Sequence, residues 1–254
     1  MKSQRTAFDI GMYDGLDTKY FLELGLRVVA VEANPSLVES ALIKYAPEIA
    51  SGQFVCVNAA ITPDGNPMDL VLCGADLGSS TIFKERIGNL APLSSIRVSG
   101  TTLANLIRDY GVPYYLKVDI EGADYLCIMT LTRNACPDYV SFELGEDFAE
   151  LVMHLQSIGY QKYRAISQCT FRELSHMCSL GRRMQERFLR RIGYRSPVDV
   201  RRGERRFVAG HSSGPAPWID NKGWHAASTI IAEIAAAKLH NRLTGWYDIQ
   251  AQKY

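Results

Sequence analysis

Two apolar runs, with a glycine-bearing turn after the first, constrain this chain more than any other feature. The first run ends at Ile10 and is followed by glycines at positions 11 and 15, and the second, Val28 to Val31, ends on Glu32. In a doubly wound sheet a cofactor lies over the carboxyl ends of the strands, where the first strand–helix turn meets the second strand. Glycines let the backbone approach a ligand closely, and an acid after the second strand can accept hydrogen bonds from two ribose hydroxyls. The pattern therefore predicts a nucleoside-containing cofactor.

Strand-like and helix-like segments alternate up to about residue 165. This alternation predicts an α/β fold with a Rossmann-like, doubly wound and mostly parallel sheet. The Asn34-Pro35 pair favours a helix start, because asparagine caps helices well and proline suits the first helical position. The predicted strands are 6–10, 27–32, 53–60, 114–120, 138–144 and 160–166; the predicted helices are 17–25, 35–46, 102–110, 121–132 and 146–158.

Two stretches interrupt the alternation. Residues 61–100 contain a proline- and glycine-rich turn and short strand candidates at 68–73 and 96–98, which predicts an antiparallel insertion. Residues 167–223 form an arginine-rich elaboration that we expect to bind substrate. A last helical pattern over 224–240 is expected to pack in the core, with a homodimer interface as the alternative. At 254 residues, the chain 1–254 is predicted to be a single domain.

The composition of the chain argues against several classes of protein function. The 28 basic residues almost balance the 27 acidic ones, which argues against a dedicated nucleic-acid binder. No apolar stretch reaches the roughly 18 residues of a membrane span, so we expect no membrane partner, and the residues ahead of the first strand predict no signal peptide. The six cysteines contain no CxxC pair, which favours a reduced cytoplasmic setting without a metal cluster.

A second group of charged residues lies in the segment from Tyr115 to Asp124. A strand emerges at Asp119, and Glu121-Gly122 opens the next helix. Three acids and a lysine in this corner are costly to bury without partners. Carboxylates repel a pyrophosphate, so a positively charged ligand, such as a sulfonium with an ammonium group, fits this corner better. The alternative for Glu121 and Asp124 is structural, because acids stabilise a helix N-terminus.

Five segments together resemble the motifs of FkbM-type methyltransferases. They cover about residues 6–145, and the most specific is Lys-Val-Asp-Ile-Glu-Gly-Ala at 117–123. The others are Asp-Ile-Gly-Met-Tyr-Asp-Gly at 9–15, Val-Glu-Ala-Asn-Pro at 31–35, Val-Asn-Ala-Ala-Ile at 57–61 and Val-Ser-Phe-Glu at 140–143. The resemblance implies a class I methyltransferase with seven strands and helices on both faces. It also implies S-adenosylmethionine as the methyl donor and a hydroxyl group as the usual acceptor.

The resemblance also implies roles for individual residues. Glu32 would hold the ribose, Asn58 and Ala59 would border the adenine, and Asp119 and Glu121 would face the reaction centre. The family often has asparagine at the position of Asp14, where the carboxylate here either pairs with the cofactor's ammonium or points to solvent. The residues that would cradle the methionine part of the cofactor are Asp9, Gly11, Asp14 and Gly15.

Methyl transfer to a hydroxyl requires in-line geometry and a general base. The candidate catalytic residues are Asp119, Glu121, Glu143 and His211, and the base stays unassigned among them. Glu143 ends a buried-strand pattern, and a paired structural carboxylate is its alternative. His211 lies in a loop, where a single histidine is often only a surface residue.

Ten arginines lie between positions 182 and 206, against three acids. Arginine forks match phosphates and carboxylates, so the segment favours an anionic small-molecule or saccharide acceptor. The simpler interpretation is a solvated, partly helical flap.

Two rival functions stay open: a non-catalytic cofactor- or RNA-binding protein that uses the arginines, and a nicotinamide-dependent oxidoreductase. The second rival predicts a G-x-G-x-x-G turn, which the chain does not contain.

Overall fold

The computed structural model describes residues 4–73, 81, 92–120, 122–174, 180–192, 195–200, 203–208, 211–220, 222–240, 243 and 245–254. The strands are β1 (Thr6–Ile10), β2 (Arg27–Glu32), β3 (Phe54–Asn58), β4 (Ala60–Ile61), β5 (Met68–Cys73), β6 (Pro92–Val98), β7 (Gly100–Thr101), β8 (Tyr115–Val118), β9 (Tyr139–Glu143), β10 (Lys162–Ser167), β11 (Arg195–Val200), β12 (Gly203–Val208) and β13 (Tyr247–Gln252). The helices are α1 (Leu16–Glu23), α2 (Pro35–Lys44), α3 (Ala46–Ala50), α4 (Leu103–Tyr110), α5 (Asp124–Ile128), α6 (Phe148–Ile158), α7 (Leu180–Arg191) and α8 (Ala227–Leu239).

A seven-stranded sheet organises these elements, with the strand order β10-β13-β9-β8-β1-β2-β3. Strand β1 pairs parallel with β2 and β8, and β2 pairs parallel with β3. Strand β13 is antiparallel to both β10 and β9. The mainly parallel sheet confirms the predicted α/β class. The chain divides into two compact units, Met1–Pro137 and Asp138–Tyr254.

The first unit is built on a completely buried centre. The residues Ala7, Phe8 and Ile10 of β1 and Val28, Val29 and Ala30 of β2 are inaccessible to solvent. Such apolar continuity is typical of parallel strands that are covered on both faces. In the predicted insertion, β5 and β6 pair antiparallel, while the residues between them lie outside the described part of the chain except for Thr81.

The second unit contains β9, β10 and β13 together with α6 and α8. Helix α8 packs against α6 and β10, and its residues Ile230, Ile234 and Ala237 are buried. The 224–240 pattern therefore does form a helix with a core face, although Leu239 at its end is exposed. The dimer alternative stays a prediction. Among the described residues, no helix is both long and apolar enough to cross a membrane.

Most predicted elements are present with small shifts in their bounds. The predicted 53–60 strand is interrupted at Ala59, and the predicted 121–132 helix is reduced to α5. Strand β13 and the β11–β12 hairpin had no counterpart among the predicted elements. Strand β13 alternates apolar and polar residues, yet its polar residues Asp248 and Gln250 are buried along with the apolar ones.

Arg164 on β10 organises the loop that precedes α8. Its side chain is 3% exposed, and its Nη1 donates to the carbonyl oxygens of Asp220 and Lys222 at 3.0 Å each. Its Nε donates to Gln250 Oε1 at 2.8 Å, and its guanidinium carbon lies 4.4 Å from the ring centre of Trp224. The buried charge is therefore balanced by carbonyl and amide oxygens and by an aromatic face.

We expect Arg164→Met to lower the free energy of unfolding by about 2–4 kcal/mol, because several buried acceptors lose a charged donor. Arg172→Met is the matched control, since Arg172 is exposed, and should change stability by less than about 0.5 kcal/mol. Urea denaturation of both variants measures the difference. Equal stabilities would contradict the role assigned to Arg164.

Candidate cofactor site

The turn after β1 lies over the end of β2. The N–H groups of Gly11 and Met12 donate to the carbonyl oxygen of Val31 at 2.9 and 3.2 Å. The next N–H, that of Tyr13, donates to Glu32 Oε2 at 2.9 Å. Three consecutive backbone donors thus fix the turn at the carboxyl end of the sheet, where doubly wound folds bind cofactors.

Gly11 and Gly15 have the backbone conformations that their positions require. Their φ angles are +86° and +74°, in the left-handed region that favours glycine. A Cβ atom on Gly11 would lie 1.9 Å from the carbonyl oxygen of Asp119, so there is no room for a side chain. Gly15 is also held by Tyr45, whose hydroxyl donates to its carbonyl oxygen at 2.7 Å.

Glu32 presents a carboxylate that the backbone orients from two sides. Its Oε2 accepts from Tyr13, and its Oε1 accepts from the N–H of Asn34 at 2.8 Å. Burial raises the pKa of this carboxyl group, and the two backbone hydrogen bonds oppose that rise. Each carboxylate oxygen has a further lone pair, so the group can accept two more hydrogen bonds from a diol.

Asn58 and Ala59 lie at the end of the neighbouring strand. Asn58 Nδ2 donates to the carbonyl oxygens of Glu32 at 2.9 Å and Ala33 at 3.2 Å. The N–H of Ala59 also donates to the Glu32 carbonyl oxygen, at 3.2 Å. The Asn58 amide therefore satisfies strand-end carbonyls, and its predicted contact with an adenine stays a prediction.

Asp14 is exposed at the other end of the turn. Its Oδ1 accepts from the N–H of Leu16 at 3.0 Å, at the start of α1. Its carbonyl oxygen accepts from Lys44 Nζ at 3.0 Å. These contacts give Asp14 a local role at the helix start, and its predicted contact with the cofactor's ammonium stays a prediction.

A buried lysine connects the turn to three carboxylates. Lys117 Nζ lies 3.2 Å from Asp9 Oδ1, 3.4 Å from Asp17 Oδ2 and 3.5 Å from Asp119 Oδ2. It also donates to the carbonyl oxygen of Gly11 at 3.3 Å. The lysine side chain is only 4% exposed. We call Lys117, Asp9, Asp17 and Asp119 the lysine cluster.

Within the lysine cluster, Asp9 and Asp119 differ in exposure. The Asp9 side chain is inaccessible, and its Oδ2 accepts from the Thr18 hydroxyl at 2.6 Å. Burial raises the pKa of Asp9, and the Lys117 ammonium opposes that rise. The Asp119 side chain is 35% exposed, so its carboxylate can reach a ligand while it remains beside the ammonium. Asp9 thus lies beneath the turn, and Asp119 lies at the surface.

The other predicted catalytic residues are Glu121, Glu143 and His211. Glu121 lies outside the described residues. Glu143 ends β9 in the second unit, opposite Asp248 of β13 in the strand register. His211 is exposed, also in the second unit, and its N–H donates to the Val208 carbonyl oxygen at 3.2 Å. Among the described residues, no group of His, Cys, Asp and Glu side chains is arranged to hold a metal ion.

A sequence model of the Methyltransferase FkbM domain matches residues 9–162, which is more than half of the chain. This protein belongs to the FkbM methyltransferase family. Membership confirms the resemblance noted from the motifs and S-adenosylmethionine as the methyl donor. No curated protein shows significant similarity to this FkbM methyltransferase.

Comparison with solved structures finds methyltransferases at low similarity. A precorrin-6y C5,15-methyltransferase from Geobacter metallireducens is 10% identical, with a TM-score of 0.42 over 100% of this chain and 83% of that one. A TehB-like methyltransferase from Corynebacterium glutamicum is 11% identical, with a TM-score of 0.34 over 65% of this chain and 71% of that one. A phosphoethanolamine N-methyltransferase from Haemonchus contortus is 12% identical, with a TM-score of 0.35 over 100% of this chain and 49% of that one. Likeness at this level says nothing about substrate.

The described residues of this FkbM methyltransferase fit the donor. Because the turn has no room for a side chain at Gly11, a ligand at the strand ends would face its backbone. The Glu32 carboxylate is oriented beside this turn by a hydrogen bond from the N–H of Tyr13. Asp119 adds a partly exposed negative charge, which suits a cationic sulfonium or ammonium. The sequence motifs named the turn, Glu32 and Asp119 as contacts of the donor, and those roles stay predictions. The motifs did not predict that Thr18 donates to Asp9 or that Asp17 pairs with Lys117. The excess of acids around one lysine was the only indication of these contacts in the sequence.

We expect Gly11→Ala to abolish binding of S-adenosylmethionine and to cost more stability than Gly52→Ala. Gly52 also has a positive φ, +75°, but a Cβ there would contact nothing within 4 Å. The control variant should lose only about 1–2 kcal/mol for its backbone conformation, while the clash with Asp119 adds about 1–3 kcal/mol. Calorimetric titration and urea denaturation measure both effects, and equal behaviour of the two variants would contradict the tight fit of the turn.

We expect Lys117→Met to lower the free energy of unfolding by about 3–5 kcal/mol, because it leaves buried carboxylates without their cation. Adding Asp17→Asn should recover part of that loss, since one uncompensated charge is removed. Lys19→Met on the same unit is the control, because Lys19 is 54% exposed. A double-mutant cycle by urea denaturation gives the coupling, and strict additivity would show that Lys117 and Asp17 do not interact.

Proposed function

We propose that this FkbM methyltransferase transfers a methyl group from S-adenosylmethionine to a hydroxyl oxygen of a sugar or a small anionic metabolite. The observation that carries the proposal is Asp119, a partly exposed carboxylate held beside the glycine turn by a buried ammonium. A site that binds a cationic donor gains from such a fixed negative charge.

In this proposal, Glu32 accepts hydrogen bonds from the two ribose hydroxyls. Its two oxygens are already aligned by Tyr13 and Asn34, so binding does not have to order the side chain. Asn58 and Ala59 border the adenine, and the backbone at Gly11, Asp14 and Gly15 faces the methionine part. Asp9 contributes indirectly, since it holds Lys117, which in turn holds the Gly11 carbonyl oxygen.

Bound S-adenosylmethionine supplies an activated methyl group on a sulfonium. The acceptor oxygen must lie about 3 Å from that carbon and in line with the bond that breaks. A base supplied by this chain would have to take up the proton of the acceptor hydroxyl during that transfer. Asp119, Glu121, Glu143 and His211 stay the candidates for that base, and Asp119 ranks first because its position is fixed.

The negative charge of the acceptor is inferred from the ten arginines between residues 182 and 206. Arginine side chains bind phosphates and carboxylates in a bidentate manner. A phosphorylated or acidic sugar would satisfy both this segment and the need for a free hydroxyl. The cytoplasmic setting and the homodimer alternative stay predictions from the sequence.

We expect Glu32→Ala to weaken binding of S-adenosylmethionine by roughly 10- to 100-fold, the effect of losing charge-assisted hydrogen bonds of about 1.5–3 kcal/mol. Binding should also weaken on acidification, starting at a higher pH than for an ordinary glutamate, because the pKa of Glu32 is raised and only the ionised form accepts from both hydroxyls. Calorimetric titration over a pH series measures this. Glu39→Ala, at an exposed position on α2, is the control.

The chemistry is tested with a donor that carries an isotopically labelled methyl group. Incubation with sugar phosphates, acidic sugars and amines, followed by NMR, separates O-methyl from N-methyl products. The proposal expects label on oxygen, with turnover lost in Asp119→Asn and donor binding weakened, because that variant removes the fixed negative charge beside the glycine turn. Label on nitrogen only, or donor binding without turnover on any acceptor, would contradict the assignment to O-methylation.

A further inference from the structure

Helix α7 presents a stripe of large apolar side chains to solvent. Met184, Phe188 and Ile192 are 66%, 60% and 58% exposed. They are spaced four residues apart, so they lie on one face of the helix and its last turn. The stripe extends about 12 Å along the helix axis. Isolated exposed apolar residues are ordinary in soluble proteins, whereas three in a row on one helix face mark an interaction surface.

Charge surrounds this stripe. The helix sequence contains arginines at 182, 183, 187, 190 and 191 and one acid, Glu186, which leaves a net charge of +4 over twelve residues. Arg187 and Arg191 are exposed and follow Met184 and Phe188 by three residues, so they flank the apolar face. Helix α7 is thus a basic amphipathic helix with a solvent-facing apolar side.

An apolar stripe flanked by arginines favours an anionic lipid surface over a second copy of the chain or a nucleic acid. A second copy of the chain, docked stripe to stripe, would bring two helices of charge +4 together, and like charges oppose that contact. A nucleic acid would attract the arginines but would leave Met184 and Ile192 exposed to water, because phosphate contacts need no apolar groups. An anionic lipid surface satisfies both properties, since acyl chains cover the stripe and headgroups neutralise the arginines.

We propose that α7 docks this protein on anionic membranes, with the helix lying in the interface and the Met184–Phe188–Ile192 stripe against the acyl chains. The helix does not span the bilayer, because twelve residues reach only about 18 Å. The stripe shares no residue with the glycine turn or the lysine cluster. Vesicle binding can be measured apart from donor binding, although Arg187 and Arg191 belong to the arginine segment that is proposed above to bind the acceptor.

The experiment is co-sedimentation of the 254-residue protein with lipid vesicles. Vesicles of phosphatidylcholine alone are compared with vesicles that contain equal parts of phosphatidylcholine and phosphatidylglycerol. We expect binding to the anionic vesicles only, weakened by salt. Each basic residue at such a surface raises partitioning by roughly fivefold, so Arg187→Gln with Arg191→Gln should reduce it about 25-fold.

The apolar stripe is tested separately with Met184→Gln combined with Phe188→Gln, which should lower binding to anionic vesicles at least tenfold. The matched control is Ile43→Gln combined with Leu239→Gln, which replaces two side chains that are 76% and 80% exposed outside α7. This control should bind vesicles as the unchanged protein does. Thermal unfolding and titration with S-adenosylmethionine check that each variant is folded.

Three results would overturn the proposal. The first is failure of the unchanged, folded protein to bind anionic vesicles. The second is vesicle binding that the stripe variant and the control lose equally. The third is a dimer in sedimentation velocity, or binding to single-stranded RNA, that depends on α7 while vesicles are ignored. Loss of vesicle binding in the stripe variant with donor affinity intact would support it.

Discussion

The ammonium of Lys117 is the interaction on which the rest of the site depends. It lies within 3.5 Å of carboxylates from β1, from α1 and from the end of β8, and it also contacts the carbonyl oxygen of Gly11. Buried carboxylates without a cation would be costly. One positive charge therefore joins the first strand, the first helix and the glycine turn, and it leaves Asp119 at the surface as the group that can face a ligand.

The sequence predicted those parts of the site whose position follows from strand ends alone. The turn at Gly11 and the acid Glu32 each follow an apolar run, and parallel strands bring their carboxyl ends to one edge. The partners of Lys117 could not be predicted in the same way, because Asp9, Asp17 and Asp119 come from three separate segments. Only the folded chain shows that one lysine serves all three.

Strand β13 is the second place where the structure differs from what the sequence predicts, because its polar side chains are buried. Strand β13 reads as half polar, yet Asp248 and Gln250 are 2% and 1% exposed. Gln250 accepts from Arg164, and Asp248 accepts from Gln168 at 2.7 Å. The Tyr-Asp-Ile-Gln-Ala-Gln sequence of β13 alternates apolar and polar residues, which by itself predicts a strand with one solvated face rather than a strand covered on both faces. The exposed apolar stripe of α7 is the opposite case, in which an amphipathic pattern is not buried within the described structure.

The position of β13 has a consequence for the order in which the chain is made. This strand lies between β10 and β9 and pairs with both, yet it is the last strand along the chain. Roughly 80 residues separate the end of β10 from its start, so at ribosomal speeds of about 5–20 residues per second the gap between β9 and β10 stays open for about 4–16 s. During that interval β9 and β10 each have an unpaired edge that another strand could join. The nascent protein has to keep other strands out of that gap until its own last strand is synthesised.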